Sequence, residues 1–509
     1  MAPPTTRTPQ ANILVNNAGI ARPANAIQTI ADSYELFITP EIITIIATET
    51  NRRAVKVYTE WNNSHPDQQQ AREWKGTDSI EIKAFIGLLL LAGVHRSKNE
   101  SLTELFSPSA GKAIFLATMS LDRFCTLMRF CRFDNIDTRT QRMPDDKLAP
   151  IRDIWAMFIA RLAVCYKPGE SMTVDEQLIP TRGRCSFRQY IPSKPGKYGI
   201  KVFWCCDSAT AYPLKGEVYL GRQPSGAQAD PATRGNSGLQ LVKRLVAPWI
   251  NSGRNVTMDN FFTSAELAED MLGVKTTIVG TIRATRREVP GELAKNRQRD
   301  QYSSLFCFDR QLSLVSYVPK KGKAVVLLST MHHDKTVDTD NKAKPEIIQY
   351  YNGTKAGVDR MDQLARTYSC KRKNNRWPMT FFSNMLDVAG IAALVVWLSK
   401  NPDWNANKHY RRRLFLNQLG NELISDQLER RLETPQALQR GVRAAMQAIG
   451  RLDTRPRPND QAPAVTGKRR CQLCPRREDR KVLTRCAYCE VYCCPRHHSV
   501  ICDTCQADV

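Results

Sequence analysis

Between residues 471 and 505, cysteine and histidine recur as Cys471-x2-Cys474-x11-Cys486-x2-Cys489-x4-Cys494-x2-His497-x4-Cys502-x2-Cys505. No other feature limits the fold as tightly. A segment of 35 residues cannot hold itself folded on a buried core alone, so cross-links or metal must do it. Four pairs with two-residue gaps supply eight ligands, enough for two tetrahedral Zn²⁺ sites. Disulfides would need an oxidising compartment. The opening residues MAPPTTRTPQANILVNN hold no apolar stretch of the kind that marks a secretory signal, so two zinc ions are expected instead. The preferred pairing interleaves, with Cys471, Cys474, Cys494 and His497 on one ion and Cys486, Cys489, Cys502 and Cys505 on the other. Spacing alone does not fix that pairing, and Cys493 and His498 stand beside ligands they could replace. Lys468, Arg469, Arg470, Arg476, Arg477 and Arg480 make the segment basic, which suits DNA; Lys468–Arg470 also suits import into the nucleus. The rival is a zinc module for protein contacts, at the extreme a RING-like ubiquitin ligase. Its histidine, however, falls in the third ligand pair, where a RING normally carries it in the second.

Charge points the same way. Lys and Arg number 74 against 50 Asp and Glu, a net charge of +24, so a polyanion is the expected partner, nucleic acid ahead of an anionic membrane. Hydrophobic residues make up 42 %, which excludes a wholly disordered or collagen-like chain. The apolar runs Ala84–Val94 and Gly390–Leu398 are shorter than the ~20 residues that cross a bilayer, so no membrane span is expected. The eight cysteines outside the cluster lack metal spacing and read as buried thiols.

A length of 509 residues suggests about three domains. Residues 1–31 contain no acid and read as a loose, disordered basic tail. From 32 to 167 the period is helical, with Ile82, Phe85, Ile86, Leu89 and Leu90 on one stripe; Arg123, Arg129 and Arg132 give this helical domain a basic edge. The period then changes. Met172–Leu178, Gly199–Cys206 and Pro213–Leu220 read as strands, Ser237–Ile250 as a helix, Asn255–Met258 as a strand, Thr263–Leu272 as a helix and Lys275–Ile282 as a strand. With a later helix carrying Asp359, the order is βββαβαβα, that of a ribonuclease-H-like α/β sheet domain. It splits into a first part, 168–283, and a second, 345–368, around a β-rich insertion over 284–344 with strands at Gln311–Val318 and Lys323–Ser329. A helical continuation (369–452), a Pro-rich linker (453–467) and the Cys-rich zinc module (468–509) follow.

Three aspartates stand at edges of that sheet: Asp175 on the first strand, Asp259 ending NVTM, and Asp359 opening its helix. Asp362, three residues on, is expected to share a helix face with Asp359. Phosphoryl transfer on DNA needs an in-line arrangement that two divalent ions ~3.5–4 Å apart can clamp. Mg²⁺ (or Mn²⁺) is held by a few carboxylates plus water and phosphate, which Asp175, Asp259 and Asp359 supply. Aspartate also caps turns and helices, and Asp207 is read that way. The surroundings strengthen the catalytic reading. From Gln177 to Cys206 there is no acid, while Arg182, Arg184, Arg188, Lys194, Lys197 and Lys201 interleave with aromatics. After Asp359 come Arg366, Lys371, Arg372, Lys373, Arg376 and Trp377. These cations suit DNA phosphates, and Trp377 suits either an exposed base or the core.

The run MTVDEQLIPTRGRCSFRQYIPSKPGKYGIKVFW (172–204) closely resembles the first catalytic segment of piggyBac-type transposases. VTMDNFFTSAELAEDML (256–272) is similar to the second, and YNGTKAGVDRMDQL (351–364) with RKNNRWPMTFF (372–382) to the third and its sequel; the closing Cys/His block is similar to their zinc module. The resemblance implies a DDD transposase in which Asp175, Asp259 and Asp359 are the catalytic triad and Asp362 a fourth required aspartate. It implies that the helical regions at 32–167 and 369–452 bind DNA and dimerise, and that Trp377 lies near a hairpin end. It further implies nicking of transposon ends, hairpin formation and strand transfer into TTAA targets. A domesticated DNA-binding protein that no longer cuts is the alternative. The short N-terminus lacks the long acidic stretch common in the family.

Overall fold

The computed structural model describes residues 14, 17–67, 70–221, 238–294, 298–434, 438–452, 467–486 and 491–497. Its centre is a mixed sheet of nine strands. A short strand β1 (Gly19–Ile20) pairs with β2 (Tyr166–Lys167) outside it. The sheet proper contains β3 (Ser171–Pro180), β4 (Gln189–Tyr190), β5 (Tyr198–Asp207), β6 (Pro213–Val218), β7 (Asn255–Met258), β8 (Thr277–Thr281), β9 (Ser304–Asp309), β10 (Leu312–Lys320) and β11 (Lys323–Ser329). Their order is β4-β5-β3-β7-β8-β11-β10-β9, with β6 beside β4 on the outer side of β5. The pairs β3–β7 and β7–β8 are parallel; β3–β5, β5–β6 and β8–β11 are antiparallel. This is the expected ribonuclease-H-like α/β arrangement. The inserted strands do not form a separate sheet, because β11 pairs with β8 and carries the same sheet outward through β10 to β9. The sequence showed two of these strands and missed β9, whose alternation is interrupted by Cys307 and Asp309.

Among the described residues, eight α-helices precede the sheet: α1 (Ile30–Glu35), α2 (Pro40–Ser64), α3 (Ser79–Val94), α4 (Leu102–Leu105), α5 (Ala113–Thr118), α6 (Leu121–Phe130), α7 (Arg139–Arg142) and α8 (Arg152–Cys165). Within and after it come α9 (Gly238–Val246), α10 (Ala265–Gly273), α11 (Glu346–Thr354), α12 (Gly357–Thr367), α13 (Trp377–Lys400), α14 (Arg411–Leu432) and α15 (Arg440–Ala448). Helix α3 is apolar on all sides and nearly all buried; Asp78 caps it, accepting from the Glu81 N–H at 2.8 Å. It packs against α14 where glycines meet, since a Cβ on Gly87 would stand 2.7 Å from Ile424 Cγ2 and 2.9 Å from the Gly420 carbonyl.

Two expectations need correcting and one needs completing. Residues 17–31 are not a loose tail: β1 pairs with β2, Ala24, Ile27 and Ile30 are buried, and Thr29 and Asp32 form a capping box on α1. Absence of acid had hidden three apolar anchors that fold back on the chain; residues 1–13 lie outside the described residues. Second, α13 is long and apolar enough to cross a membrane although no unbroken apolar run is. Most of its most apolar window, 83 %, is buried inside the protein, so it is a core helix here. Third, the helical segments do not stay whole. One unit comprises Met1–Leu105 and Thr118–Glu433, the other Phe106–Ala117 and Thr434–Val509. In the second, Phe106 and Phe115 meet edge-on at 5.5 Å, and α15 lies against Pro108 and Leu116. Apart from its last residue, the linker read over 453–467 lies outside the described residues.

Candidate functional site

The register of the parallel pair places two of the aspartates. Val174 is opposite Met258, so Asp175 and Asp259 follow side by side on strands whose spacing is ~4.8 Å. Asp175 is largely buried, and its pKa is pushed up to about 7 by burial, then by the charges of Glu176 and Asp259, against the pull of Lys194. Asp259 moves the same way, raised by burial and by Glu176 while the Phe261 N–H, 2.9 Å away, and Lys201 oppose.

Asp359 enters from the first turn of α12, with its carboxylate two-thirds exposed. Helix α12 comes close to β3 because residue 357 is glycine: a Cβ there would stand 2.6 Å from Thr173 Oγ1. Tyr351 lies within electrostatic reach of all three aspartates. Its phenol is raised first by burial and then by the charges of Asp259, Asp175 and Asp359. The three carboxylates are thus near one another, but their oxygens do not close to a single point. Among the described residues the set with ligand atoms all within 4.8 Å is a different one, at the C-terminus. Asp175, raised to about 7 first by burial and then by its acidic neighbours, would be relieved by added positive charge, and such a carboxylate set fits a hard divalent ion.

Asp362 does not share the exposed face of Asp359. It is buried, accepts from Gln177 Nε2 at 2.9 Å and is paired with Arg366. Gln177 in turn accepts from Trp204 Nε1 at 3.1 Å and from Asn384 Nδ2 at 3.2 Å, so Asp362 ties α12 to β3 and α13. A three-residue step turns the side chain far enough round the helix to reach the core. Asp207 is a turn residue, accepting from Gly169 N–H and from Thr210 N–H and Oγ1.

The cations divide sharply. Arg182, Arg184, Arg188, Lys197 and Lys373 are exposed. Lys194 reaches into the site, its Nζ 3.1 Å from the Glu176 carbonyl and 3.7 Å from Asp359 Oδ1. Lys201 lies 3.5 Å from Glu176 and over the rings of Phe203 and Phe261. Arg372 and Arg376 correct the reading of the second basic stretch as a row of phosphate contacts. Arg372 is buried, donating to the carbonyls of Ser97 and Glu100. Arg376 donates to those of Met128, Arg129 and Cys131 at the C-terminal end of α6. Lys371 donates to the Pro180 carbonyl, and burial, then Lys98, lowers it to about 8. For Arg376 the acceptors are the free carbonyls at a helix end, which attract a cation. Of the N-terminal basic edge, Arg123 is paired with Glu81 and stacked on Trp74. Trp377 is half-buried, edge-on to Phe187 at 5.0 Å. Glu176 and Tyr351 went unnoticed in the sequence, although both lie inside the quoted segments.

In the second unit, Cys471, Cys474, Cys494 and His497 gather with their ligand atoms within 4.8 Å. The Cys474 and Cys494 sulfurs are 3.6 Å apart, and His497 Nδ1 lies 3.8, 3.6 and 3.4 Å from the sulfurs of Cys471, Cys474 and Cys494. A disulfide would bring sulfurs to ~2.05 Å, whereas the edges of a tetrahedral zinc site with Zn–S of ~2.3 Å are near ~3.7 Å. The set is the one the interleaved pairing assigns to the first ion. Of the other set, Cys486 is buried beside Cys493, and Cys489, Cys502 and Cys505 lie outside the described residues.

The family described as Transposase IS4 matches residues 31–394. The human PiggyBac transposable element-derived protein 3 is 24% identical over 368 residues, 69% of this chain and 58% of that protein. The human PiggyBac transposable element-derived protein 2 is 23% identical over 379 residues, 70% of this chain and 59% of that protein. The chain therefore spans less than two thirds of the length of these relatives. A piggyBac transposase synaptic complex with hairpin DNA, solved by cryo-EM, superposes with a TM-score of 0.81 and 36% identity, covering 96% of this chain and 100% of that one.

Proposed function

Since the chain belongs to the piggyBac-type transposase family, we propose that it is a cut-and-paste DNA transposase that nicks transposon ends, forms hairpins and joins them to TTAA targets. The observation that carries this reading is the register that brings Asp175 and Asp259 side by side at the ends of parallel strands, with Asp359 carried toward β3 by the close approach of α12 at Gly357. Asp175, Asp259 and Asp359 would hold Mg²⁺ or Mn²⁺. Such ions, when bound, supply Lewis-acid stabilisation of attacking and leaving oxygens. The chain's own residues do the rest. Asp362 fixes α12 and hence Asp359, and exposed Arg182, Arg184, Arg188 and Lys197 hold the DNA backbone. The Cys3His cluster and its neighbours hold zinc, and the basic surface around them meets DNA. We place the protein in the nucleus, acting as a homodimer on double-stranded DNA.

Asp359→Ala tests this. Excision from a reporter plasmid should fall to background while binding to transposon ends persists; unchanged excision would remove the aspartates from the chemistry. The second reading is a domesticated DNA-binding protein without cleavage, favoured by the similarity to two transposable element-derived human proteins. Incubation of the chain with TTAA-flanked DNA and Mg²⁺ decides between them: nicks that a chelator abolishes support the transposase.

A further inference from the structure

Lys194 is in an unusual place for a residue of a DNA-binding surface. It belongs to the loop 191–197, which is braced across itself. The Ile191 N–H donates to the Lys197 carbonyl at 2.7 Å, the Lys194 N–H to the Ile191 carbonyl at 3.2 Å and the Lys197 N–H to the Lys194 carbonyl at 3.0 Å. This closed loop turns the Lys194 side chain back over β3, where it is four-fifths buried. Its ammonium is anchored by the Glu176 carbonyl at 3.1 Å and stands 3.7 Å from Asp359 Oδ1. Charge-assisted contacts close to ~2.7–2.9 Å when nothing restrains them. The longer gap to Asp359 marks a loose pair, held at one end by the carbonyl and open to exchange at the other.

That loose pair lies beside two aspartates whose carboxyls are raised by burial and by acidic neighbours. Asp175, Glu176 and Asp259 crowd one another, while Asp359 is turned toward Lys194 and the three aspartates stay too spread to meet at one ion. One ammonium cannot neutralise Asp359 and a DNA phosphate together. Building on the metal-site reading above, we infer that Lys194 is a resident counter-cation. It holds Asp359 in the metal-free protein, competes there with the divalent ion, and transfers to the backbone phosphate of bound DNA when that ion takes the carboxylate. Lys194 is a positioning residue, acting through Asp359. The consequence is reciprocal: DNA and the divalent ion each strengthen the other's binding, because each draws Lys194 in the direction the other needs.

The test uses the full, zinc-loaded chain and Mn²⁺ alone, followed by electron paramagnetic resonance. Thiolate sites already filled by zinc do not take Mn²⁺ readily. Without DNA, Lys194→Met should bind Mn²⁺ about three- to tenfold more tightly than wild type, since a competing charge is gone. Lys194→Arg should behave as wild type. Adding TTAA-flanked duplex should tighten Mn²⁺ binding to wild type by a larger factor than to Lys194→Met, in which only the phosphate's own contact with the ion remains. Lys194→Gln serves as the second variant if the Met variant loses its circular dichroism spectrum. A residue serving only the loop's structure, or only DNA, would leave metal affinity without DNA equal or weaker when replaced, and that result would overturn the inference. Asp175→Asn separates this from the underlying reading. If it abolishes Mn²⁺ binding while Lys194→Met matches wild type, the counter-cation role alone is wrong; if it binds Mn²⁺ as wild type does, the metal site itself is wrong and the inference goes with it.

Discussion

Asp175 shows what a single side chain contributes here. Its unfolded carboxyl titrates near 3.8 and its folded one near about 7, so the folded chain binds this proton more tightly. The stability that follows is complete below the unfolded value and is lost as pH rises through about 7. Asp259 is shifted in the same direction. Asp175→Asn should therefore raise the calorimetric melting midpoint at pH 8 in magnesium-free buffer by roughly 2–4 °C, and leave it almost unchanged near pH 4. A lower midpoint at pH 8 would show that the carboxylate is comfortable where it sits. The aspartate at this position was legible in the sequence because it interrupts an apolar alternation. Its titration was not, since that depends first on burial and then on charges that include Asp259 and Lys194, brought up from separate elements.

At the level of elements, the site depends on how near α12 can approach β3. Gly357 permits that approach, since any Cβ there would collide with Thr173 Oγ1 and approach its Cβ at 3.0 Å. Thr173 is itself fixed, donating to the Thr354 carbonyl at 2.6 Å, so it cannot easily give way. Gly357→Ala should push the helix outward and carry Asp359 with it. Excision is expected to fall about tenfold or more while the protein stays folded, because catalysis responds to misplacements of about 1 Å. Full excision activity in a folded Gly357→Ala chain would refute this account of the approach. The tight contact of this glycine with a strand almost two hundred positions earlier is a property of the packed pair. The inserted strands tell the same story. Their alternation was readable, but whether they formed a separate module or extended the sheet was decided by the free edge of β8.

For the whole molecule, the two units are held together by different means. The first has an extensive apolar core built on α3, α13 and the sheet. The described part of the second has small sulfur-lined clusters around Cys471, Cys474, Cys494 and Cys486. Stripping zinc with a strong chelator should abolish amide-exchange protection across 467–497 and leave protection in β3, β5 and β7 intact. Protection persisting at Cys471 and Cys494 after the metal is gone would mean that the segment folds without it.

Order of elements, the three aspartates and the ligand spacing were all determined by the sequence itself. Each is written in neighbours a few positions apart, where periodicity and spacing act directly. Tertiary structure alone decided which cations face outward. Arg372 lies 275 residues from the carbonyl of Ser97 that holds it, and Arg376 lies 245 from that of Cys131. Asp362 turned inward for Gln177, 185 positions away, and Lys194 turned inward toward Asp359. A charged group settles on the partner that folding brings within a few ångströms, and no local pattern of residues can name a partner so distant along the chain.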